Sequence, residues 1–125
     1  MKIYISHLRK HDFQNELYLP IKNSSLIKDH QFIFPHDENQ APFNSREIIE
    51  QHKIDLLLAE VSFPATGQGI ELGWANAFSV PVLCIYKKDA QIAGSLKVIT
   101  KDFIEYSDSQ DLVARLQDFF QNQNG

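Results

Sequence analysis

Glu71 is the residue of this sequence best suited to covalent chemistry. It closes the stretch Gly67-Gln-Gly-Ile-Glu71, and residues 54–88 read as a buried strand, a Gly-punctuated turn, a helix opening on that carboxylate, and a second buried strand. A carboxylate in the first turn of a helix is held ionised by the helix dipole. Such a group suits attack on, or electrostatic stabilisation of, a cationic sugar carbon. Gly67 and Gly69 would let the backbone take positive φ or pass close to a ligand, with their N–H groups pointing at it. Glutamate is also common in first turns for helix stability alone, so spacing by itself leaves both roles open.

Other polar groups gather around the same expected crevice. Tyr4 lies near the end of the first strand, where its phenol serves either as a donor to a ligand or as a core aromatic. Ser6-His-Leu-Arg-Lys10 follows that strand, and Pro64-Ala-Thr-Gly67 follows the third. Arg9 and Lys10, with Lys87 and Lys88 after the fourth strand, put positive charge on one sheet edge; they suit a phosphate or carboxylate, or simple solvation. His7, His11 and the run His36-Asp-Glu38 match no metal-binding spacing, and the first pair falls in a loop, so no metal is expected. Glu60 ends a buried strand and either pairs with a basic loop or faces the crevice. The Gly-x-Gly lacks the third glycine of a dinucleotide fingerprint, and no phosphate-binding Gly-Lys-Ser/Thr loop or serine-hydrolase elbow occurs.

The elements that must position these groups are legible in the hydrophobic pattern. Apolar, β-rich runs cover residues 2–6, 31–34, 55–62 and 80–86, with a weaker fifth over 102–106. Leu56-Leu-Leu-Ala59 and Val82-Leu-Cys-Ile85 are continuously apolar, as strands covered on both faces are. Helical spacing fills residues 12–19, which Pro20 should kink or end, a segment from Asn44 or Ser45 through His52, then 69–78, and a final helix capped by Asp108 or Ser109. Trp74 and Phe78 lie one turn apart and should pack their helix onto the sheet.

The order β-α-β-α-β-α-β-(loop)-β-α predicts an α/β fold. We expect a flavodoxin/Rossmann-like three-layer sandwich with a five-stranded, mostly parallel sheet in strand order 2-1-3-4-5. In that order the ligand crevice opens at the carboxyl ends of strands 1 and 3. At 125 residues the chain fits one domain, 1–125, able to bury roughly two-thirds of its unfolded surface. A net charge of −4 gives no support for a nucleic-acid polymer as partner. With no signal-peptide core and no apolar run of about 18 residues, the expectation is a cytoplasmic protein without a membrane partner. Cys84 is the single cysteine and sits within an apolar run, as a small buried hydrophobe does.

Pro64-x-x-Gly67-x-Gly69-x-Glu71-Leu-Gly73-x-Ala75, between the third strand and Val80-Pro-Val-Leu83, resembles the nucleoside 2-deoxyribosyltransferase superfamily, which includes the 2'-deoxynucleoside 5'-phosphate N-hydrolases. Lys2-Ile-Tyr-Ile5 is similar to that superfamily's first strand, and the combined pattern covers about two-thirds of the chain. The resemblance implies cleavage of the N-glycosidic bond of a (deoxy)nucleoside or (deoxy)nucleotide, with transfer of the sugar to water or to another base. It implies Glu71 as nucleophile, Tyr4 as the group positioning it, and Glu47, in place of the family's aspartate, assisting at the leaving base. For the substrate, the family's serine and basic residue after strand 1 have counterparts in Ser6, His7, Arg9 and Lys10; His36 and the turn Pro64, Ala65, Thr66, Gly67 and Gly69 are further candidate contacts, and the reaction requires no metal or organic cofactor. It also implies a homodimer with a shared site, Ser95 of one copy reaching the phosphate bound to the other. The chain departs from the family at Ala65, where the transferases carry an aspartate for the 5'-hydroxyl and the hydrolases a serine for the phosphate. Two other classes fit the layout: a TIR-like domain that cleaves NAD or signals, and a non-catalytic nucleotide-binding module.

Overall fold

The computed structural model describes residues 1–37 and 44–123. Its five strands are β1 (Lys2–Ser6), β2 (Gln31–Ile33), β3 (Leu56–Glu60), β4 (Val82–Lys87) and β5 (Phe103–Tyr106). All neighbours pair in parallel, in the order β2-β1-β3-β4-β5. The expected topology is therefore the observed one, and the mostly parallel sheet is wholly parallel among the described residues. Glu38, expected beside His36, lies outside the described residues.

Side chains alternate across the sheet and feed two separate cores. Ile3, Ile5, Leu58, Leu83 and Ile85 point to one face, where Leu17, Tyr18, Ile21, Leu26, Leu112, Leu116 and Phe120 cover them. Those covering residues come from a π-helical turn (Gln14–Tyr18), α1 (Leu19–Lys22), α2 (Leu26–Asp29) and α6 (Ser109–Gln123). Tyr4, Leu57, Ala59, Val82 and Cys84 point to the other face, under α3 (Ser45–Glu50) and α4 (Thr66–Ala77) through Ile49, Leu72 and Ala75. Burial on both faces explains why β3 and β4 read as unbroken apolar runs. Cys84 is fully buried, and burial pushes its thiol pKa up to about 12, so it packs as a hydrophobe.

Four local expectations need correction. The helix after β3 begins at Thr66, three residues before the expected Gly69. Pro20 does not end its helix: the π-helical turn runs on into α1, and the Glu16 carbonyl one turn before the proline accepts from Ser109 Oγ at 3.2 Å instead of from a helical N–H. The helix after Asn44 stops at Glu50 rather than His52, whose φ of 54° is left-handed. A short α5 (Leu96–Ile99) occupies what reads as loop before β5.

Because β1 sends its crossover to one face and β3 sends α4 to the other, the carboxyl ends of these two neighbours part at a topological switch point. Among the described residues no helix is long and apolar enough to cross a membrane.

Candidate active site

A cavity of about 750 Å3 opens at that switch point, within the usual size range of small-molecule sites. Tyr4, His7 and Arg9 line it from β1 and its following loop, Pro35, His36 and Asp37 from the end of β2, Ser45 from α3, and Gly67, Gln68, Ile70, Glu71 and Trp74 from α4. Phe13 completes the wall.

Glu71 is held from both sides of its carboxylate. Tyr4 Oη donates to Oε2 and Ser6 Oγ donates to Oε1, each at 2.8 Å. Tyr4 and Ser6 are two residues apart on β1, so their side chains leave the same face of the sheet, directly beneath α4. Burial, and then the Glu71 carboxylate itself, push the Tyr4 phenol well above its ordinary pKa, so it remains a donor. Ser45, across the cavity on α3, opposes that shift only weakly. The result is an oriented carboxylate at the wall of a cavity, the arrangement a nucleophile or an electrostatic stabiliser of a cationic carbon requires.

The route to this geometry differs from the one expected. Since α4 starts at Thr66, its first turn holds no acid, and Glu71 lies in the second turn. The helix dipole acts mainly within the first turn, and here two hydroxyl donors orient the carboxylate instead. Nor do the glycines adopt special backbone: no glycine has positive φ among the described residues, and Gly69 N–H makes an ordinary helical bond to Ala65 at 3.0 Å. No atom lies within 4 Å of a Cβ built on Gly67 or Gly69, so what they provide is an open helix surface.

The histidines form the opposite wall. His7 donates from Nδ1 to the Leu8 carbonyl (3.0 Å) and accepts at Nε2 from Tyr18 Oη (2.6 Å). Burial drives its pKa down to about 4, so the ring is neutral at neutral pH, consistent with that pattern. The Tyr18 oxygen in turn accepts from the His36 backbone N–H at 3.2 Å. Phe13 stacks on His7 with ring centroids 4.5 Å apart, and the His36 ring meets His7 edge-on at 5.1 Å. Burial and Arg9 lower the His36 pKa, against a smaller opposing pull from Glu71.

Other expected residues stand apart. Glu47 is exposed, 3.8 Å from Lys53 Nζ and 3.4 Å from Gln51 Nε2, and does not line the cavity. Pro64, Ala65 and Thr66 form the exposed to half-exposed entry of α4, with Ala65 at its N-cap making no side-chain bond. Ser95 is exposed before α5 and also lies outside this chain's cavity. Glu60 points to the other face, where it accepts from Ser62 N–H (2.6 Å) and from Tyr106 Oη. Lys87 pairs with Glu16 at 2.9 Å, leaving Arg9 as the cavity's cation among the described residues.

Gln68, Ser45 and Phe13 were not singled out for the site by sequence. Gln68 sits three residues before Glu71, a same-face helical spacing, but that signal exists only once the helix is known to start at Thr66.

No protein-family model matches this sequence. Over 41 residues the chain is 46% identical to a Methanosarcina barkeri protein named "Putative 2'-deoxynucleoside 5'-phosphate N-hydrolase 1", a match spanning 33% of this chain and 26% of that protein. The fold is similar to that of the CMP N-glycosidase of Clostridium botulinum, with a TM-score of 0.66 and 17% identity over 94% of this chain and 99% of the other. The local match in sequence and the shared fold together support the resemblance of this chain to the nucleoside 2-deoxyribosyltransferase superfamily.

Proposed function

We propose that this protein cleaves the N-glycosidic bond of a (deoxy)nucleoside or (deoxy)nucleotide, with Glu71 as the nucleophile. The observation that carries this reading is the Glu71 carboxylate fixed by Tyr4 and Ser6 at the wall of the switch-point cavity. In the reaction a Glu71 oxygen forms a bond to the anomeric carbon while the carbon–nitrogen bond breaks and its electron pair leaves on the base. Water, or the N–H of a second base, then attacks the same carbon, the ester electrons return to Glu71, and the proton this frees ends on the departed base. The scheme parallels retaining glycosidases. The names of the M. barkeri and C. botulinum proteins favour water as acceptor and a nucleoside monophosphate as substrate.

Glu47 does not line the cavity, so interactions with the departing base fall to other groups. His36 lines it with no hydrogen bond to its ring among the described residues, and burial, then Arg9, favour its uncharged form, which suits a partner for a base edge. Arg9 supplies positive charge for a 5'-phosphate. The reading extends to a homodimer, because an exposed Ser95 outside its own cavity is available to that of a second copy.

The test is base release from a panel of 2'-deoxynucleosides, their 5'-monophosphates and CMP, with and without an acceptor base. Release without acceptor from the wild type, lost in Glu71→Gln, is the expected result. Wild-type-like release by Glu71→Gln would overturn the assignment.

A further inference from the structure

Between the nucleophile and the sheet lies a buried amide that the reaction scheme does not use. Gln68 is 5% exposed and donates both protons of its Nε2 to backbone carbonyls: to Ser6 O at 3.1 Å and Glu60 O at 2.7 Å. These carbonyls belong to the last residues of β1 and β3, where the two strands part. One side chain therefore bridges the switch point and ties the first turn of α4 to both strand ends.

This bridge and the nucleophile share partners. The Ser6 whose carbonyl Gln68 holds is the Ser6 whose hydroxyl donates to Glu71 at 2.8 Å. Gln68 and Glu71 are three residues apart on one helix, so they rise from the same face of α4. Ser6 thus meets α4 twice, its carbonyl accepting from Gln68 and its hydroxyl donating to Glu71, and the α4 backbone closes the loop. An apolar residue at position 68 would fill the space but leave α4 free to slide against β1, and misplacement of a reacting group by about 1 Å can cost about a hundredfold in rate.

We propose that Gln68 is a positioning residue: by clamping the carboxyl ends of β1 and β3 to α4, it sets the Ser6–Glu71 hydrogen bond and hence where the carboxylate stands. This rests on the reading of Glu71 as nucleophile. It gives a physical reason for a polar residue at a buried position between two glycines. Buried amides are kept where their hydrogen bonds are all satisfied, and here both donor protons are used.

The experiment compares Gln68→Met with Gln68→Glu on the same substrate panel, and combines Gln68→Met with Ser6→Ala in a double-mutant cycle read by urea unfolding. In Gln68→Met, kcat should fall at least about tenfold while KM changes less than about threefold, because alignment and not binding is lost. Gln68→Glu regains one donor only when protonated, so its kcat relative to wild type should rise as pH is lowered. In the cycle, the double variant should lose less stability than the sum of the single losses, since the two bonds removed fasten the same residue of β1 to the same turn of α4. Wild-type kcat in Gln68→Met, a Gln68→Glu profile parallel to wild type, or strictly additive losses would each overturn the proposal. If the wild type releases no base at all, the nucleophile reading fails, while the cycle still decides whether Gln68 and Ser6 act together.

Discussion

The sheet carries two glutamate–tyrosine pairs at its carboxyl edge, one on each face. On one face Tyr4, from β1, donates to Glu71 of α4; on the other Tyr106, from β5, donates to Glu60 at the end of β3. Both phenols are pushed well above their ordinary pKa, by burial first and then by the neighbouring carboxylate. The pairs differ in what surrounds them. Glu60 is 2% exposed and takes a second bond from Ser62 N–H, and it belongs to the face closed by α6. Glu71 is half-exposed on a cavity that also presents His36, Arg9 and Trp74. A hydrogen-bonded carboxylate is thus common to both faces, and access separates a group able to meet a ligand from one that holds β3 to β5.

Removing each carboxylate charge in turn separates the two pairs most strongly. Glu71→Gln should lower kcat at least ~1,000-fold, as loss of a nucleophile does, with a melting temperature close to wild type. Glu60→Gln should do the reverse, lowering stability by roughly 1–3 kcal/mol for a buried charged hydrogen bond disturbed while kcat stays within about threefold. A large activity loss in Glu60→Gln without unfolding would erase the distinction.

The next effect concerns the donors to Glu71. Ser6→Ala and Tyr4→Phe each delete one hydrogen bond to a charged group, worth about 1.5–3 kcal/mol, so kcat should fall about tenfold to a hundredfold in steady-state assays. Tyr106→Phe, its counterpart on the sealed face, should leave kcat within about twofold and lower stability by about 1–2 kcal/mol in urea unfolding.

Smaller still is the pH effect of the wall opposite Glu71. His7 is neutral in the fold, with a pKa near 4 against an ordinary 6.5, so the unfolded chain binds its proton more readily. The stability this lends is present above about pH 6.5 and is lost as pH falls toward about 4. In His7→Gln the slope of unfolding free energy over that window should flatten; an unchanged slope would mean that His7 titrates normally. Glu47→Gln should change kcat less than about twofold, because an exposed pair such as Glu47–Lys53 contributes little. A large loss would return Glu47 to the reaction.

Much of the frame was legible in the sequence because burial on both faces leaves a direct imprint. Leu56-Leu-Leu-Ala59 and Val82-Leu-Cys-Ile85 announce covered parallel strands, and their alternation with helical segments leads to the 2-1-3-4-5 order that is observed. Placing the switch point between β1 and β3 likewise put Tyr4, Arg9 and Glu71 beside one crevice, and these three line the cavity, whereas His36 enters it from beyond β2. The start of α4 was not legible, because Thr66-Gly-Gln-Gly reads as turn by propensity, while in the fold those residues form regular helix above the strand ends. That shift of three residues moved Glu71 out of the dipole's reach and hid Gln68. Side-chain direction was equally out of reach: Glu47 and Glu60 are acids near the site in sequence, yet one is turned to Lys53 and the other to the far face.

The step that most sets this chemistry apart is a covalent bond between Glu71 and the sugar. Incubation with a 2'-fluoro-substituted nucleoside monophosphate, whose fluorine slows release of the sugar from the enzyme, followed by peptide mass spectrometry, tests it directly. A fluorosugar adduct on the peptide bearing Glu71, absent in Glu71→Gln, is the expected result. An adduct on another residue, or full turnover by Glu71→Gln, would contradict it.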